Sequence, residues 1–465
     1  MSPDRLDLLV RGGDVVTPAG RRNVDVGVTD GRIVALEPSL GGDAGRIVDA
    51  KGLLVLPGAV DVHTHVRVAS DAEPDRFFQD SVAAAYGGTT TFLAFNNPGT
   101  GSSPAAARSL RVGLQEFRDR TAGDSAVDYG LSLAVLGSMD DPVAELPEVI
   151  ERGVPTAKAF MVFDFRLDDR RLFAVLEALG RLGGMLQVHC EDPVLIDAAV
   201  AAALQRGNTS PYYHATTRPD YVEAAATHRA IAFARLAGAP VYVVHLSCAA
   251  ALDEVRRGKA AGVAVFAETC PHYLTLTAER YERPAAEAIR YVISPPLRAP
   301  EDRASLWAGL ADGSLDLVAT DHVPDRLAVE KRVPPPPFDR ISNGAPGIET
   351  LLAIGYSEGV ATGRLSIERL VDLVATTPAR LFGLPAKGSI ELGKDADLVL
   401  FDPAARRTIR AETLHHTSEY TPYEGLEVAG AVRSVYVRGR AVVEDGRFVG
   451  RRGWGRFVER IPPFG

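Results

Sequence analysis

The sequence predicts an α/β protein: a (β/α)8 barrel carrying a small β-sandwich domain built from both chain termini. Three observations predict it. The middle of the chain alternates short apolar runs with helical stretches, both ends read as β-hairpins, and the residues able to do chemistry fall at or just beyond the ends of different apolar runs. The same βα order would suit a doubly wound sheet, but no GxGxxG opens a helix after the first strand. In a barrel the C-terminal strand ends converge on one face, and that convergence decides for the barrel.

The elements follow in order. Residues 1–55 hold "DLLVRGGDVV", "VDVGVTDGRIVAL" and "GLLVLPG", β-branched runs separated by Gly and Asp-Gly turn signals, and form the N-terminal part of the sandwich. Residues 56–387 form the barrel, with strands such as "TTTFLAF", "MLQVHC", "PVYVVHLS" and "LDLVATDH", and helices such as "DDRRLFAVLEALGRLG". Residues 388–465 return to hairpin texture in "ADLVLFD" and "VRSVYVRGRAVVEDGRFVG", where Asp445-Gly446 separates two apolar runs, and supply the rest of the sandwich and a tail.

Composition narrows the function. With 465 residues, 46% hydrophobic and 24% charged, the chain can bury a large core. A net charge of -9 without a dense Lys/Arg run excludes a phosphate-backbone footprint, so no nucleic-acid partner is expected. The opening "MSPDRLDLLVRGGDVVTPAG" lacks the apolar core of a secretory signal, and no run approaches a membrane span, so a cytoplasmic protein with no membrane partner is expected. Three cysteines, Cys190, Cys248 and Cys270, have neither disulfide-framework numbers nor CxxC spacing and read as buried thiols.

The chemistry lies in a scattered set: His63 and His65, Asn97, Lys158, His189, His245 and Asp321. A lone histidine at a strand end is an ordinary hydrogen-bonded residue. On an extended strand, however, His63-Thr64-His65 puts both imidazoles on one side, half of a site for a divalent metal. His189 and His245 add nitrogen donors, and Asp321 in "VATDHVP" adds a carboxylate. Lys158 in "GVPTAKAFMVF" is the odd member, because an ammonium repels metal ions. By residue type alone it is either a substrate-facing cation or a salt-bridge partner.

The motifs "DVHTH", "YGGTTTFLAF", "AKAFMVF", "QVHCED", "VVHLS", "ETCPHYLTL", "YVISPPLR", "ATDHVP", "ISNGAPGIET" and "TPARLFGL" occur in an order that resembles cyclic amidohydrolases. The similarity is greatest to the hydantoinase and dihydropyrimidinase branch and extends over nearly the whole chain, including "YTPYEGLEVAGAV". HxH alone is weakly specific, and the ordered series is strongly so. The resemblance implies that Lys158 reacts with carbon dioxide to form a carbamate, an anionic ligand bridging two metals. It assigns His63, His65, Lys158 and Asp321 to one divalent ion and Lys158, His189 and His245 to the other. Zinc is expected from this donor set, with manganese or cobalt as alternatives. The implied reaction is hydrolytic opening of a ring amide C–N bond by a metal-bridging hydroxide, with Asp321 as general base. Ser294 and Asn343 are implied as substrate contacts, although Ser294 before Pro295-Pro296 and the Asn343-Gly344 pair also read as turns. A homotetramer or homodimer is implied. His272 and His322 are placed around the site rather than in it, and His214, His228, His415 and His416 are read as surface or packing residues.

Two departures bear on substrate. Hydantoinases usually carry an oxyanion-stabilising tyrosine five residues after the bridging lysine, where this chain has Phe163. Arg67 and Asn97 stand where dihydroorotases grip a substrate carboxylate, although Arg67 could equally pair with Asp71 or Glu73. A dihydroorotase- or allantoinase-type hydrolase is therefore the enzyme alternative. A non-catalytic dihydropyrimidinase-related scaffold is the alternative of another class, opposed by the retention of all six ligand positions. The segment "RLAVEKRVPPPPFDR" is expected to form a stiff, extended loop at the barrel mouth.

Overall fold

The computed structural model describes residues 5–41 and 43–465. Its centre is the expected TIM-like barrel. Eight strands lie in sequence order, each parallel to the next: β1 (Ala59–Thr64), β2 (Thr89–Phe95), β3 (Asp128–Ala134), β4 (Thr156–Phe160), β5 (Met185–His189), β6 (Val241–Val243), β7 (Val265–Thr269) and β8 (Leu317–Val318). A bridge between Thr64 and His322 joins the last strand to the first, and the His65 N–H donates to the His322 carbonyl at 2.8 Å. These strands are buried almost throughout, which explains their unbroken apolar runs.

The outer helices follow their apolar period. Helix Asp169–Arg181 buries Leu172, Val175, Leu176, Ala178 and Leu179, positions three or four apart that face the barrel. Asp168 caps it by accepting from the Arg171 N–H at 2.8 Å. Each buried Leu or Val contributes roughly 1.5–3 kcal/mol of transfer free energy. No helix among the described residues is long and apolar enough to cross a membrane.

The sandwich joins both ends of the chain. One sheet is N-terminal, with strands Arg32–Glu37, Asp25–Thr29, Leu6–Arg11 and Ala44–Asp49. The other mixes both ends: Leu54–Pro57 pairs antiparallel with Leu398–Thr408 and parallel with Asp14–Thr17. Between the sheets lie Val10, Val26, Ile33, Val55, Leu398 and Tyr436. The Asp-Gly signals mark real hairpin turns, since Asp30-Gly31 and Asp445-Gly446 adopt φ of 51° and 74°, and 46° and 73°, as a type I′ turn requires.

Beyond the sandwich the chain runs back across the barrel's opposite end. There the Tyr129 N–H donates to the Arg456 carbonyl at 3.0 Å, Arg460 donates to Thr156 Oγ1 at 2.9 Å, and Phe464 stacks on Phe266 with centroids 5.5 Å apart. The three cysteines are free and buried. The loop after β8 departs from expectation: Leu327–Lys331 forms a π-helical turn before the prolines, and Lys331 is fully buried.

Candidate active site

At the C-terminal end of the barrel the structure gathers all six expected ligands. His63 ends β1, and its Nε2 lies 3.1 Å from Asp321 Oδ1; Nε2 of His65 lies 3.2 Å from the same oxygen. Lys158, from β4, places Nζ 3.5 Å from His63 Nε2 and rests against Phe95 and Phe160. The rings of His189 and His245 are 4.5 Å apart, and His245 is 5.3 Å from His63. Glu191 engages His189 Nε2 at 2.7 Å, so any ligand bond from that ring would use Nδ1.

The backbone is bent to achieve this. His245 and Asp321 take positive φ, 38° and 49°, and so does Phe163 at 75°. Such left-handed conformations cost of order 1–3 kcal/mol each in non-glycine residues and persist where surrounding contacts impose them.

Burial sets the charge states. It pushes the Lys158 ammonium down to about 8, although Glu268 and Asp321 favour its charge. A neutral amine is the form that adds to carbon dioxide. Burial also lowers His189, His245 and His65, keeping these imidazoles in the neutral form that binds metals. Burial works to raise the Asp321 carboxyl, but His63 and His65 outweigh it and hold it well below the ordinary range.

The donor set fits a divalent metal site. His63, His65 and Asp321 offer ligand atoms all within 4.8 Å of one another, and Nδ1 of His245 is buried without a hydrogen-bond partner. A second acidic group, Asp128, Asp395 and Asp397, does not fit, because Lys387 already fills it with contacts at 2.6, 2.9 and 2.8 Å.

Above the histidines opens a cavity of about 280 Å³, bordered by Asn97, Phe163, Phe165, Ser294 and Asn343. Ser294 Oγ donates to Asn343 Oδ1 at 3.1 Å, so the two residues expected to meet substrate stand together. Gly344 beside them takes φ 125°, and a Cβ there would lie 2.4 Å from Val323, so the Asn343-Gly344 pair is both a turn and a cavity wall. Lys331 ties the two segments by donating to the carbonyls of Val292 at 2.8 Å and Ser342 at 2.7 Å.

Arg67 is differently engaged than a carboxylate grip requires. Arg67 pairs with Asp325 and with Glu330 at 2.8 Å, and donates to the carbonyls of Gly99 and Pro324 at 2.9 and 3.2 Å. A substrate carboxylate would meet a cation already neutralised by two acids. Asn97 Oδ1 accepts from His65 Nδ1 at 2.7 Å, orienting that ring. Phe163 stacks on Phe165 with centroids 5.5 Å apart and brings no hydroxyl.

Other histidines sort as follows. His322 Nδ1 accepts from the Gly347 N–H at 3.0 Å, and His272 is buried with Nε2 unpartnered. His214 and His416 are buried, His415 stacks on Tyr86 at 3.5 Å, and His228 meets Glu254 at 3.0 Å. Sequence reasoning passed over Glu191 and Glu268, both fully buried against histidines of the cluster. Their signal was present: each is an acid beside an otherwise apolar strand, in "MLQVHCED" and "VAVFAETC".

Barrel, strand-end histidines, buried lysine and aspartate together define a metal-dependent barrel hydrolase. Residues 54–442 match the model of the amidohydrolase family. A D-hydantoinase of Ralstonia pickettii is 40% identical over 460 residues, covering 98% of this chain and 99% of that protein. A solved D-hydantoinase structure superposes with TM-score 0.93 at 38% identity, covering 99% of this chain and 100% of the other. A crystal structure of dihydropyrimidinase from Brevibacillus agri gives 0.92 at 39% identity, with 98% of each chain covered. The chain belongs to the amidohydrolase family, in its hydantoinase- and dihydropyrimidinase-like, cyclic-amidohydrolase branch, as its motifs imply.

Proposed function

We propose that this chain hydrolyses the ring amide C–N bond of a small neutral cyclic amide of the hydantoin or dihydropyrimidine kind. The reading is supported above all by the convergence of Asp321 with five further donors from four other strand ends. His63, His65, Lys158 and Asp321 would hold one divalent ion and Lys158, His189 and His245 a second, with Lys158 carbamylated; zinc suits the donors, and manganese or cobalt could take the same positions. Such ions, when bound, polarise a carbonyl and acidify water.

The chain's own residues do the rest. Asp321, kept ionised by its histidine neighbours, accepts the proton of the attacking water on a carboxylate oxygen and returns it to the departing ring nitrogen. Ser294 and Asn343 orient the ring amide, and the Phe163–Phe165 wall favours an apolar ring substituent. The neutralised Arg67 argues against an acidic substrate and so against the dihydroorotase-type reading. A homotetramer or homodimer is the proposed assembly.

The test is elemental analysis of protein purified without chelators, intact mass for carbon dioxide on Lys158, and turnover of hydantoin, dihydrouracil, dihydroorotate and allantoin. Two metals per chain and opening of hydantoin or dihydrouracil are expected. Metal-loaded protein inert toward all four would sink the reading, and preference for dihydroorotate would return Arg67 to substrate binding.

A further inference from the structure

We propose that Glu268 is the positioning residue of the metal centre: a single carboxylate on β7 that sets the ring of His63 and the backbone of His245 together. The inference rests on the metal-site reading above and names a residue outside the ligand set. Glu268 is fully buried. Its Oε1 meets Nδ1 of His63 and also accepts the backbone N–H of His245 at 3.0 Å, while Oε2 accepts the Tyr242 hydroxyl at 2.6 Å.

Each contact has a consequence. A carboxylate oxygen accepts, so Nδ1 of His63 donates to Glu268 and Nε2 is the ring atom left facing Asp321 and Lys158. With Nδ1 so engaged, Nε2 is the atom that would ligate a metal. The N–H of His245 belongs to a residue in the left-handed region, and Glu268 satisfies it there, holding the turn that aims the ring at His63 and His189. Tyr242, anchored on the other oxygen, stops the carboxylate from rotating away. Among the described residues Glu268 forms no salt bridge with Lys or Arg; its ionic partner is His63. Its negative charge is thus directed at the centre itself, where it favours a divalent cation. The two halves of the ligand set, from β1 and from beyond β6, are joined through this one side chain.

The test uses the cobalt-loaded protein, its visible absorption and the rate at which a chelator removes cobalt. Glu268→Gln keeps the shape but removes the charge that obliges Nδ1 to hold the proton. Cobalt release faster by on the order of 10- to 100-fold and an altered cobalt spectrum are expected. Tyr242→Phe, which frees one carboxylate oxygen, is expected to speed release by less than about tenfold, and serves if Glu268→Gln does not fold. A residue that only supported the fold would lower the melting temperature and leave the cobalt spectrum alone. Parental release rates and spectra in the folded variants overturn the proposal while the metal site stands; a parent protein that takes up no cobalt overturns both.

Discussion

Two buried lysines of this barrel live in opposite surroundings. Lys387 touches Asp128, Asp395 and Asp397, which together hold its ammonium above the ordinary lysine value despite burial. Lys158 is just as buried, but the groups it rests against are histidine and phenylalanine rings, and burial brings it down to about 8 although Glu268 and Asp321 favour its charge. One chemical group is thus a fixed charge where barrel meets sandwich and a potential nucleophile at the opposite end. The difference lies in which strand ends bring carboxylates within reach.

The largest effect should come from removing the reactive lysine. Lys158→Met, similar in length and apolar, should leave the fold intact and bring ring-opening activity to background, with metal content falling below that of the parent; undiminished turnover and metal would break the contrast. Lys387→Met should do the reverse. Stranding three buried carboxylates costs about 3–5 kcal/mol, seen as a lower denaturation midpoint, while metal per folded chain stays parental. Loss of metal without loss of stability would show that Lys387 acts on the site.

The smallest effect is in pH. The Lys158 value is depressed when folded, so between about pH 8 and the unfolded lysine value the unfolded chain binds more protons, and stability attributable to this lysine rises with pH. For metal-free protein the stability of the parent relative to Lys158→Met should rise by on the order of 1 kcal/mol per pH unit from pH 8 to 10. The Lys387 value is raised, so its contribution is fully present below the unfolded lysine value and is lost only as pH rises through the folded one. The corresponding difference for Lys387→Met should therefore stay flat from pH 8 to 10. Parallel slopes would mean that the two environments are not distinct.

Much of this was legible before the structure. The buried strands announced themselves because both of their faces are covered, and the Asp-Gly turns because few other pairs accept two positive φ values. His63 and His65 were legible as a pair because their relation is local, two residues on one strand. What escaped is relational at long range. Glu268 meets His63 across 205 positions of sequence, and nothing in "VAVFAETC" says which histidine it will face. Arg67 could be matched only with nearby acids on paper, whereas its partners Asp325 and Glu330 arrive from the loop after β8. Residue type does not reveal that the oxygen of Asn97, at the border of the cavity, accepts from His65. The π-helical turn at Leu327–Lys331 runs against the local preference of a proline-rich segment and exists because Lys331 finds two carbonyls inside.

The shared sheet also sets a timetable for biogenesis. Strand Leu54–Pro57 leaves the ribosome early, but its antiparallel neighbour, Leu398–Thr408, follows only after the whole barrel has been translated. The covering of the barrel's far end by Arg456, Arg460 and Phe464 comes later still. Folding during translation, N-terminal portion first, therefore cannot complete the mixed sheet before the barrel has been made. The nascent chain exposes an unpaired strand edge and an uncovered barrel floor until both are met by late-arriving segments, and a product cut short before residue 398 keeps both exposed.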